Sequence, residues 1–129
     1  MTVLIDCMNK IQVATETASG PSRVTAFDKA LTKLGIQNYN LVEYSSVIPS
    51  GATVETKQQI ESSHPFGSVC GVVMAVDYAH PESEDTAYTE LIWNQSEYGG
   101  GFFIESSGRR VSEDELKVMK DNRDITFDG

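Results

Sequence analysis

Hydrophobic residues recur along this chain in two rhythms, and the changes of rhythm mark out its elements. In "IQVATETASGPSR", Ile11 and Val13 alternate with polar neighbours, which predicts a short strand closed by a Gly-Pro-Ser turn. In "TAFDKALTKLG" the spacing changes to three and four. Phe27, Ala30, Leu31 and Leu34 make one helical stripe, Thr25 stands where a cap is needed, and Gly35 suits a left-handed residue past the last turn. "YNLVEYSSVI" then reads as one strand, stopped by Pro49 and Gly51. An edge strand is expected near Val54 and a turn at His64-Pro65. The run "SVCGVVMAVDY" is β-branched and nearly continuous in apolar character, the mark of a strand covered on both faces. From Ser83 to Glu97 the pattern predicts a helix, with acids in the first turn, a stripe of Ala87, Tyr88, Leu91 and Ile92, and three glycines to end it. "GFFIESSG" is a further strand, ended by Gly108. Ser112 and Glu115 form a capping box, with Val111 and Leu116 placed as a hydrophobic staple, so a last helix starts at Glu113 and frays into "DNRDITFDG".

Strands and helices thus interleave in 129 residues, too few for a full doubly wound sheet. The expected fold is an α/β (α+β) sandwich, small sheets flanked by helices, in a single domain. Trp93 and the aromatics of "SEYGGGFF" are assigned to its core. No apolar run is long enough for a membrane-spanning helix, and the start lacks the pattern of a secretory leader, so a cytoplasmic location is expected. Cys7 and Cys70 lie far apart without metal-ligand spacing and read as thiols, while His64 and His80 are isolated, each before a proline; no metal is expected. Nineteen acidic against ten basic residues give a net charge of −9, which disfavours nucleic acid. A cationic substrate or partner fits that charge, and so do simple solubility and a salt-adapted host.

The chemistry concentrates on "NLVEYSSVIPSG", where adjacent serines interrupt an apolar run. An ordinary polar pair is one reading. Neither serine has the glycines of a nucleophile elbow, and no histidine stands in a context that would make it a base, so a serine hydrolase has little support. Glycines before a lysine, which a phosphate loop needs, are also lacking. One chemistry remains that asks for a serine in a strained, buried backbone. Attack of the Ser46 hydroxyl on the Ser45 carbonyl gives an ester by an N-to-O shift, β-elimination cuts the chain, and hydrolysis leaves a pyruvoyl group.

At "TAFDKALTKLGIQNYNLVEYSSVIPSG", residues 25–51, the chain resembles the pyruvoyl-dependent arginine decarboxylases. Looser likenesses follow in "PFGSVCGVVMA" and in "GFFIESSG" before a charged helix. The resemblance implies a self-processing proenzyme cut between Ser45 and Ser46 into a β chain, 1–45, and an α chain, 46–129, with a covalent pyruvoyl group from Ser46 as the cofactor. It implies that Asn40 supports processing by a hydrogen bond to the developing oxyanion, that Asp28 pairs with a substrate guanidinium, and that Glu105 returns a proton to the substrate carbon after carbon dioxide leaves. For that last task Glu105 must be protonated, so burial is expected to raise its pKa. The implied reaction is L-arginine to agmatine, the implied partner a small cationic amino acid, and the implied assembly a homotrimer, with neither nucleic acid nor membrane involved. The alternative is a non-catalytic relative that keeps the fold, stays uncleaved and binds or regulates. From the residues alone, Asp28 also reads as a first-turn helix acid, Glu105 as a strand-end charge and Asn40 as a strand-edge residue. Two departures from the family pattern stand out: further apolar strand sequence normally follows the last helix, where this chain reads "DITFDG", and Gln37 and Tyr39 flank Asn38 where smaller residues are usual.

Overall fold

The computed structural model describes residues 2–6, 10–96 and 100–123, the first of these segments by its backbone alone. The chain divides into two compact units. One draws on the chain up to Tyr44 and on Thr53–Met74, the other on Ser45–Ala52 and the chain from Ala75 onward. The described residues make an α+β protein, with two sheets and two helices among them.

The first unit holds a five-stranded mixed sheet of β1 (Thr2–Asp6), β2 (Lys10–Ala14), β3 (Asn40–Glu43), β5 (Thr53–Thr56) and β6 (Val69–Met74), in the order β3-β6-β1-β2-β5. β1 is antiparallel to both β2 and β6, whereas β3 runs parallel to β6 and β5 parallel to β2. The continuous apolar run of β6 suits its interior place between β3 and β1: Cys70, Gly71, Val72 and Val73 are all buried. β5 is an edge strand, as the polar sequence around Val54 predicts. The turn expected at His64-Pro65 closes one residue later, where Ser68 N donates to the Pro65 carbonyl at 3.1 Å.

Helix α1 (Arg23–Leu34) packs its stripe on one face of this sheet, with Leu31 and Leu34 joining Ala14, Ile36, Ile60, Cys70 and Val72 in one core cluster. Its cap is Ser22, not Thr25. Ser22 Oγ accepts from Thr25 N, and Thr25 Oγ1 accepts in return from Ser22 N, so Thr25 serves as the third helical residue of a reciprocal box. Gly20 permits that arrangement, because a Cβ there would lie 2.8 Å from Thr25 Oγ1. At the other end Gly35 takes φ 85° as expected, and its N–H returns to the carbonyls of Leu31 and Thr32.

A buried amide clamps the chain after β5. Gln12, on β2, donates from Nε2 to the Glu61 carbonyl at 2.7 Å and accepts from Glu61 N at 2.8 Å. Gln12→Ala removes both bonds and opens a void beside β2. It is expected to cost about 1–2 kcal/mol, read as a lower urea midpoint with an unchanged slope.

The second unit holds an antiparallel sheet of β4 (Val47–Ile48), β8 (Gly101–Ser107) and β7 (Thr89–Gln95), in the order β4-β8-β7, and helix α2 (Glu113–Asn122). Phe102, Phe103 and Ile104 bury β8 almost completely, and Trp93 lies against Phe103 with ring centroids 6.2 Å apart. Fully buried side chains of this kind contribute roughly 1.5–3 kcal/mol each, which makes β8 a firm carrier for whatever projects from it.

The helix expected from Ser83 to Glu97 does not form. Residues 89–95 are strand β7, paired along their whole length with β8. Backbone N–H groups of this stretch are instead taken up by local bonds: Asp85 N donates to Ser83 Oγ, Glu82 N to His80 Nδ1, and Tyr88 N to Asp77 Oδ2. Such bonds offer the backbone an alternative to helix, and Ile92 and Trp93 favour the pleated ladder. The capping box at Ser112 and Glu115 forms as predicted. Arg109 adds a two-pronged ion pair to Glu115 at 2.7 and 3.0 Å and, with bonds from Ser112, holds that carboxyl down to about 2. The contribution of this exposed pair to the start of α2 is complete above the ordinary carboxylate value and is lost as pH falls towards 2. Cys7 and the tail 124–129 lie outside the described residues.

Candidate active site

The strand expected through "YNLVEYSSVI" is two strands, and the serine pair is the break between them. β3 ends at Glu43 in the five-stranded sheet, and β4 begins at Val47 in the three-stranded one. Ser46 sits in that break with φ 71°, the one non-glycine residue in the left-handed region among the described residues. A left-handed backbone costs a residue with a Cβ roughly 1–2 kcal/mol, so something must hold it there.

Two bonds to β8 do so. Phe103 N donates to the Ser46 carbonyl at 2.8 Å, and the Ser46 hydroxyl donates to Glu105 Oε1 in a short contact. Both partners ride on the buried strand described above, in the register that pairs Val47 with Phe102. The structure therefore brings Ser46 and Glu105 together, 59 residues apart in sequence, with a carboxylate on the hydroxyl and a strained peptide behind it. A carboxylate in that position can take the hydroxyl proton and make the oxygen a nucleophile.

The strain expected at the serine pair is found, but the burial is not. Ser45 is exposed and Ser46 half-buried. Glu105 is exposed too, contrary to the burial expected for it. It falls beyond the two residues of β8 that β4 covers, on the first uncovered stretch of the strand.

The other expected site residues belong to the first unit. Asp28 is exposed on α1, and because the helix starts at Arg23 it falls in the second turn, outside the reach of the helix N-terminus. The dipole reading of this acid thereby loses its ground. Asn40 opens β3 and donates from Nδ2 to the Gly67 carbonyl at 2.8 Å. Sequence reasoning missed Glu90. Its carboxylate accepts from the Tyr88 hydroxyl at 2.7 Å and from Val111 N at 3.1 Å, tying β7 to the approach to α2. The Tyr88 bond, then the Val111 bond, hold it below the usual carboxylate range. The helix expected here concealed it, since only a strand puts Tyr88 and Glu90 on one face.

The chain belongs to the pyruvoyl-dependent arginine decarboxylase family, whose model matches residues 10–127. Among relatives that carry that name, the protein of Pyrococcus horikoshii is 42% identical over 109 residues, covering 79% of this chain and 65% of the relative. That of Thermococcus kodakarensis is 34% identical, covering 84% and 67%, and that of Halobacterium salinarum 30%, covering 83% and 66%. The chain spans about two thirds of the length of these relatives.

Proposed function

We propose that this chain is the proenzyme of a pyruvoyl-dependent decarboxylase that converts L-arginine to agmatine and carbon dioxide. The observation that carries the proposal is the left-handed Ser46 with its hydroxyl on the Glu105 carboxylate.

Self-cleavage follows from those two residues. Glu105 takes the hydroxyl proton as Oγ bonds to the Ser45 carbonyl carbon. The carbon–nitrogen bond then breaks, the nitrogen takes a proton, and Ser45 is left esterified to Ser46 Oγ. Loss of the Ser46 Cα proton expels the ester oxygen, freeing 1–45 with a carboxylate at Ser45 and leaving dehydroalanine at the head of 46–129. Addition of water and departure of ammonia convert it to the pyruvoyl ketone. Asn40 is assigned the support of the oxyanion on Ser45.

The residues suit such a group. The Ser46 carbonyl, which it would keep, already accepts from Phe103 N. A pyruvoyl group supplies the electron sink that decarboxylation needs. Around it, Glu105 carries the proton destined for the substrate carbon, and Asp28 is assigned the guanidinium, to which a carboxylate offers two parallel acceptors. The net charge of −9 favours a cationic substrate. The assembly is assigned as a homotrimer of cleaved protomers in the cytoplasm; among the described residues no helix is long and apolar enough to cross a membrane.

On a denaturing gel, fresh wild-type protein is expected to run as two fragments whose masses place the cut between Ser45 and Ser46. A carbonyl-reactive hydrazide is expected to label the larger fragment alone, and carbon dioxide is expected from arginine in preference to lysine, ornithine and histidine. One full-length, unlabelled band would instead define an uncleaved binding relative, and release from another amino acid would reassign the substrate.

A further inference from the structure

β4 is two residues long, a weak hold for the chain that carries Ser46. It pairs Val47 with Phe102 and Ile48 with Gly101. A slip of one residue would turn the segment's side chains to the other face and carry the Ser46 hydroxyl away from Glu105. The chain just past β4 supplies a second hold. Ala52 N donates to the Pro49 carbonyl at 3.1 Å, and this turn places the Ala52 carbonyl where Gln95, the last residue of β7, donates to it from Nε2 in a short contact. Gln95 pairs with Gly101, and Gly101 with Ile48, so the three form one row across the sheet with no side chain at its middle position. Beside that row Gly100 lies so close to β4 that a Cβ on it would come within 2.6 Å of the Ile48 carbonyl. Ile48 and Ala52 are both buried, and every residue of this arrangement belongs to the second unit.

We propose that Gln95 is a positioning residue for Ser46, both as the nucleophile of self-cleavage and as the head of the cleaved chain, an inference that rests on the function proposed above. Its amide fixes Ala52, and the gap at Gly100 and Gly101 lets β4 seat against β8. Together they pin the register in which the Ser46 carbonyl meets Phe103 N and the Ser46 hydroxyl meets Glu105. Gln95 touches no reacting atom and acts through the segment that it holds. Its weight grows once the chain is cut. In the intact chain Ser46 is tethered on both sides, whereas after scission it heads a chain end, and chain ends fray unless tied down. Gln95 is the tie.

Gln95→Met keeps the length of the side chain and removes its donor, while Gln95→Lys keeps a donor. Carbon dioxide release from arginine per hydrazide-reactive site is expected to fall about fivefold in Gln95→Met, the worth of one such hydrogen bond, and fragment formation over time on denaturing gels to slow by less. The loss is expected in kcat with KM unchanged, since Gln95 places the reacting group and holds no part of the substrate. Gln95→Lys is expected to restore most of both rates. Gly100→Ala pushes on the Ile48 carbonyl without touching the amide and is expected to lower both rates as Gln95→Met does. Rates are read well below the urea midpoint of each variant, where a fold that is merely less stable leaves the rate per site unchanged. If Gly100→Ala fails to fold, the two Gln95 variants still decide. Wild-type rates in Gln95→Met, or equal losses in Gln95→Met and Gln95→Lys, would overturn the proposal and leave the self-cleavage reading intact. A wild-type chain that never cleaves would overturn that reading, and this inference with it.

Discussion

Ser46→Ala is expected to run as a single full-length band under conditions in which the wild type is expected to give two fragments. The substitution removes the only oxygen that the left-handed turn presents to a carboxylate base among the described residues, and a chain without its nucleophile loses on the order of a thousandfold or more in rate. Ser45→Ala is the control. The bond proposed to be cut uses the Ser45 carbonyl, which every residue has, so this variant is expected still to separate into two pieces. Hydrazide labelling is expected to follow the same division, present in Ser45→Ala and lacking in Ser46→Ala. Two fragments from Ser46→Ala would show that some other group cuts the chain.

Glu105→Gln is the second large effect. It keeps the shape and the hydrogen bond of the side chain but gives the hydroxyl nothing that can carry away a proton. General-base assistance is typically worth a factor of about 10² to 10⁴, and cleavage is expected to slow by that much. The fold has no reason to suffer, since β8 is anchored by Phe102, Phe103 and Ile104 and Glu105 projects to solvent. Chemical denaturation of Glu105→Gln and wild type should therefore coincide while their fragment time courses diverge. The fraction that does cleave then reports the second duty assigned to this residue: carbon dioxide release per hydrazide-reactive site falls as well if Glu105 returns the substrate proton. Fragment formation at the wild-type rate would remove Glu105 from the processing step.

Much of the arrangement is legible in the residues. The periodicity of Phe27 to Leu34, the unbroken apolar run of β6 and the box at Ser112 and Glu115 all correspond to elements that form. These are local signals, decided within one turn or one strand. The failures are long-range. Ala87, Tyr88, Leu91 and Ile92 fit a helical stripe as well as a strand, and only pairing with β8 decides between them. "YNLVEYSSVI" reads as one strand because nothing local reveals that its two ends join different sheets. The serine pair stands out because hydroxyls interrupt an apolar run. That Ser46 would meet Glu105 across 59 residues depends on the register of β4 against β8, which no spacing rule supplies.

The order β3-β6-β1-β2-β5 has a consequence for the nicked protein. Scission after Ser45 would assign β1, β2 and β3 to one polypeptide and β5 and β6 to the other. β6 is then inserted between two strands of the shorter piece, and β5 is zipped along the outside of a third. The halves are interleaved, and pulling them apart means undoing three ladders at once. A chain cut there would keep its two pieces joined through the five-stranded sheet until a denaturant dismantles it.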